Sequence, residues 1–143
     1  MKIYIKRTLA LLLSFLLLCT FVSCTTMNKL EKRLEFLETE EEITAYYRET
    51  KSEREALRER MDTIFDCKME EDIVKGFEIY GKKSGRKVWI YAFEKKSDAK
   101  KAKECFETRD WQEDYDSIKM YGVVRKGKLV FFGTEDLIDT IIG

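Results

Sequence analysis

The chain has 143 residues, in which 27 Lys and Arg balance 27 Asp and Glu, and it contains neither His nor Pro. Without His, the usual neutral-pH general base and the commonest transition-metal ligand are missing, and this length admits one domain rather than two. Interspersed charge of both signs gives no electrostatic footprint for nucleic acid and no overall attraction to acidic lipid.

At the N-terminus, Lys2, Lys6 and Arg7 precede an apolar run from Thr8 to Ser23, and no acidic residue occurs before Glu31. The run is shorter than the roughly 20 residues a membrane-spanning helix needs, and suits the hydrophobic region of a secretory signal. It closes on Phe21-Val22-Ser23-Cys24. These residues resemble the lipobox of bacterial prolipoproteins. The resemblance, confined to residues 1–24, implies removal of residues 1–23, a diacylglyceryl group on Cys24, and attachment to the outer face of the cytoplasmic membrane or to an outer membrane. Two or three acyl chains, at ~0.8 kcal/mol per buried methylene, make a stable anchor. An uncleaved signal-anchor or a simple secretory signal is the alternative. Cleavage would remove Lys2, Lys6 and Arg7 but no acid, leaving 24 basic residues against 27 acidic, a net charge of −3.

From Thr25 to about Thr50, Leu30, Leu34 and Leu37 fall on one helical face among charged residues. The spacing predicts a charged helical stalk over residues 24–51, or a partner helix able to self-associate weakly. Thr39-Glu-Glu-Glu42 has capping-box spacing, which predicts that a helix restarts there and runs through Ile43, Tyr46 and Tyr47. A second box, Ser52-Glu-Arg-Glu55, opens a helix striped with Leu57, Met61, Ile64 and Phe65. The compact domain is expected over residues 52–143.

Beyond Cys67 the pattern turns to strands. Ile73 to Tyr80 and Lys87 to Phe93 alternate around a turn at Gly81–Gly85, and Ser97 is expected to cap a helix carrying Ala99, Ala102, Cys105 and Phe106. Ser117 to Val124 predicts a third strand, with Ile118, Met120 and Val124 on one side. A hairpin at Arg125–Lys128 follows, with positive φ at Gly127, and then a strand over Leu129–Phe132. Thr134 then caps a helix bearing Leu137, Ile138, Ile141 and Ile142. Hairpin, cap and helix thus occur twice. The expected fold is α+β: an α-β-β-α-β-β-α order with an antiparallel four-stranded sheet and helices on one face. A circularly permuted ferredoxin-like layer is one such arrangement, and a hairpin-repeat sheet is another.

Cys67 and Cys105 form a candidate disulfide, since the expected compartment permits one; the alternative is a free thiol on the apolar face of a helix. Trp89, Tyr91 and Phe93, joined by Tyr121 and Phe132, form a candidate aromatic sheet face for a partner or a second copy of the chain, unless they are the core side. Trp111 and Tyr115 put two rings among polar residues in one loop, a second candidate contact, although Trp111 could equally plug a gap beside the sheet. The carboxylate pairs Glu40/Glu41 and Glu70/Glu71 sit in charged segments and read as solvated rather than catalytic. No phosphate loop, nucleophile elbow or zinc signature occurs. The reading is a lipid-anchored envelope protein without a cofactor, acting as a non-enzymatic binding or accessory module or as a self-associating structural protein.

Overall fold

The structure, a computed structural model, describes residues 26–63, 65–83, 85–108 and 121–143. Helix α1 spans residues 26–39. It is followed by β1 (Ile43–Arg48), α2 (Lys51–Thr63), β2 (Ile73–Gly81), β3 (Lys87–Phe93), α3 (Lys96–Glu107), β4 (Tyr121–Lys126), β5 (Leu129–Thr134) and α4 (Glu135–Ile142). The five strands form one antiparallel sheet in the order β1-β2-β3-β5-β4.

Apolar residues on both sides of the pleat require cover on both sides. Phe77, Ile79, Val88, Ile90, Leu129 and Phe131 pack with leucines of α1 and isoleucines of α4. On the other face Tyr91, Phe93, Val130 and Phe132 pack with Leu57 and Met61 of α2 and Ala99, Ala102 and Phe106 of α3. The domain is therefore three-layered, and the expectations of a four-stranded sheet, helices on one face and a permuted ferredoxin-like layer are corrected. The two hairpin–helix repeats send their helices to opposite faces.

The expected stalk is corrected too. Leu30, Leu34 and Leu37 are buried in the core beneath the sheet, with Leu34 wholly inaccessible. The domain thus takes in residues 26–51 rather than starting at Ser52, and these leucines offer no surface for self-association.

The second expected helix is a strand. Helix α1 ends in a Schellman motif: Glu41 takes a φ of 56°, its N–H donates to the Glu38 carbonyl, and the Glu42 N–H donates to that of Leu37. The reversal delivers Ile43-Thr-Ala-Tyr-Tyr, rich in strand-favouring residues, to the edge of the sheet. The Glu38 carboxylate accepts the Ala45 N–H at 2.8 Å, fastening the turn.

Helix α2 starts one residue before the expected cap. Thr50 and Glu53 form the reciprocal capping box: Thr50 N–H donates to the Glu53 carboxylate at 3.0 Å, and Glu53 N–H donates to Thr50 Oγ1 at 3.3 Å. Ser97 lies inside α3, whose N-cap is Lys95. Thr134 does occupy the N-cap of α4, but its hydroxyl serves the sheet, accepting the Lys87 N–H at 3.1 Å. Gly127 has the expected positive φ, 59°, in the β4–β5 turn.

Candidate functional site

On the face covered by α2 and α3, the β1–β2 corner stays open. Strand alternation puts Tyr46 of β1, Glu78 and Tyr80 of β2, and Lys87 and Trp89 of β3 on this side. Register sets Tyr46 opposite Glu78, Glu78 opposite Trp89, and Tyr80 opposite Lys87. Tyr46 and Tyr80 are 48% and 39% exposed and meet edge to face, with centroids 5.7 Å apart. The Lys87 ammonium lies between two rings, 4.6 Å from that of Tyr80 and 4.4 Å from that of Trp89. Each such cation–ring contact is worth ~0.5–1 kcal/mol at an exposed site.

Beneath this shelf, Glu78 is the one charged side chain buried among the described residues, at 3% exposure. It accepts from Arg48 Nε at 3.0 Å and Nη2 at 2.6 Å, pairs with Arg60 of α2, and lies 3.8 Å from the Lys87 ammonium. Burial alone would raise the Glu78 pKa. The hydrogen bond from Arg48 and the charges of Arg60 and Lys87 outweigh it, holding the carboxyl below its ordinary value. Three cations thus surround one carboxylate. Their outer faces, with the neighbouring rings, suit a ligand that combines a flat apolar surface with negative charge.

The sequence-derived site residues separate. Tyr91 and Phe93 are core residues, so the partner face expected to include them is corrected: α2 and α3 cover it. Burial also pushes the Tyr91 phenol well above its ordinary pKa. Trp89 is only partly covered. It stacks on Phe132, with centroids 5.7 Å apart, and its buried Nε1 finds no acceptor among the described residues. Cys24, Trp111 and Tyr115 lie outside the described residues. Cys67 and Cys105 are joined as a disulfide, their Cα atoms 5.8 Å apart, which links the segment after α2 to α3.

Sequence reasoning missed Tyr46, Tyr80 and Lys87. The signal lay in the alternation of β2, where Glu78 and Tyr80 share the side of Trp89 once register is known. Tyr46 was hidden by the helical reading of its segment. The clefts along the outer side of α2 are lined by charges of both signs, Glu55 and Arg58 in both of them, and present no convergent chemistry. Among the described residues no three His, Cys, Asp or Glu side chains are placed to hold a metal ion, and no helix is long and apolar enough to cross a membrane. No family model matches the chain, and neither a curated protein nor a solved structure matches it.

Proposed function

We propose that this protein is a lipid-anchored module of the bacterial cell envelope, attached through Cys24 outside the cytoplasmic membrane, that binds an envelope component without catalysing a reaction. The observation that carries the binding role is the Lys87 ammonium held between the Tyr80 and Trp89 rings on an open sheet corner. Exposed aromatics beside a cation cluster recognise ring-bearing, anionic material such as an acidic glycan or peptidoglycan fragment. The lipobox-like residues support the location, and a Cys67–Cys105 disulfide belongs in an oxidising compartment of that kind.

The test is fluorescence of a Trp111→Phe protein, which retains Trp89 as its single tryptophan, titrated with a soluble peptidoglycan digest. A saturable change that is lost in Lys87→Ala and weakened in Tyr80→Ala supports the reading. A flat titration, or one unaltered by both substitutions, overturns this shelf as the binding site. Intact mass of the membrane-extracted protein beside a Cys24→Ala variant tests the anchor separately.

A further inference from the structure

We propose that the domain lies directly on the membrane surface and docks there through one end of its sheet, which recognises anionic lipid headgroups; this rests on Cys24 being lipidated. Helix α1 is already regular at residue 26, and both Met27 and Leu30 pack into the core. Only Thr25 stands between Cys24 and the start of that helix, and two extended residues span at most ~7 Å. No spacer separates an anchored Cys24 from the folded domain.

The end that faces the bilayer follows from the topology. Helix α1 begins beside the start of β2, where Glu31 and Glu49 both pair with Lys75. At this end β1 leads into α2, β3 leads into α3, and β4 turns into β5. Two of these connections are basic. Lys95 and Lys96 follow β3, and Arg125, Lys126 and Lys128 surround the β4–β5 turn. They are adjacent, since the Phe93 N–H donates to the Lys128 carbonyl at 3.0 Å. Lys29, exposed on the first turns of α1, adds to the same end.

Carboxylates also occur here, but several are engaged. Glu31 and Glu49 hold Lys75, Glu53 closes the α2 cap, Glu71 pairs with Lys101 and Asp72 with Arg58. Glu70, Glu94 and Asp98 are the acidic groups that offset the six cations, while Lys95, Lys96 and Lys126 meet no carboxylate among the described residues. In a chain nearly neutral in sum, this end thus carries more exposed cations than unengaged carboxylates among the described residues. Each basic side chain near an anionic surface raises occupancy about five-fold, and the tether supplies a high local concentration. Docked this way, the shelf at the opposite end, where β2 turns into β3, points away from the bilayer.

The test is lysine acetylation mapped by mass spectrometry. The membrane-extracted protein is reconstituted into phosphatidylcholine vesicles and into vesicles containing about one third phosphatidylglycerol. Labelling of Lys95, Lys96 and Lys126 should fall several-fold in the anionic vesicles and recover in high salt. Lys82 and Lys83, exposed in the β2–β3 turn, should label equally in both. In a Lys95→Glu, Lys126→Glu variant the protection of Lys96 should disappear while its circular dichroism is unchanged. Lipidated protein with equal labelling at both ends overturns the docking alone. A mass that shows no lipid on Cys24 overturns the anchor reading and, with it, this proposal.

Discussion

Arg48 on β1 reaches diagonally across the ladder to Glu78 on β2, donating from Nε at 3.0 Å and Nη2 at 2.6 Å. The strand register sets Arg48 opposite Gly76, so Glu78 is two residues along, within reach of a long side chain. Because the Glu78 pKa is lowered on folding, its charged form stabilises the native state above the unfolded value near 4.5. That stabilisation is lost as pH falls below this value and through the lower folded pKa. Glu78→Gln should cost ~2 kcal/mol at pH 7, since a charged hydrogen-bond partner is lost while the partly exposed guanidiniums remain solvated. Thermal melts between pH 7 and pH 3 should show a shallower acid destabilisation in the variant. Parallel curves would mean that Glu78 titrates alike in both states.

Leu34→Ala should cost ~3 kcal/mol, the loss expected for a fully buried leucine. Urea unfolding measures it. A loss below 0.5 kcal/mol, the usual limit for a surface substitution, would detach α1 from the sheet and restore the stalk.

The Cys67–Cys105 bridge closes a loop with a sequence separation of 38. In the chain-entropy model this stabilises the fold by ~4 kcal/mol. Melting with and without a thiol reductant, beside a Cys67→Ser, Cys105→Ser protein, should show a large downward shift in the wild type and none in the variant.

Glu41 holds a left-handed backbone without being glycine, at a φ of 56°. Glu41→Gly should stabilise the protein by up to ~1 kcal/mol by relieving that conformation. At Gly133 the reverse applies. Its φ is 148°, and an added Cβ would run into the Lys87 carbonyl and come within 2.8 Å of Val88 Cα, both backbone atoms of the neighbouring strand. Gly133→Ala should lower stability by several kcal/mol, read from the same melts.

Those two positions also show where sequence reading stopped. Strands β2, β3 and β5 and helices α3 and α4 announced themselves through alternation, stripes and turn residues. Strand β1 did not. Its Ile43, Tyr46 and Tyr47 also fit helical spacing, and Thr39 and Glu42 imitate a capping box. The reversal at Glu41 carries no glycine to mark it. Both faces of β3 are apolar, and that pattern already asked for cover on both sides. Alternation alone names the faces without saying what lies on them, so Tyr91 and Phe93 read as surface while Leu34 read as stalk. The candidate shelf was legible only in Trp89, because Tyr46, Tyr80 and Lys87 come together through register.

The strand order has a consequence for a chain that is made from one end. Strands β1, β2 and β3 pair in sequence, but β3 gains its second neighbour only from β5, which also carries β4. Until residues 129–134 are available, the middle of the sheet is a bare edge, and bare edges invite pairing with other chains. A growing or threading chain therefore has no finished sheet to lock it early, and its folding is postponed until residues 129–134 have emerged. Truncation within β5 should yield aggregates instead of a smaller domain.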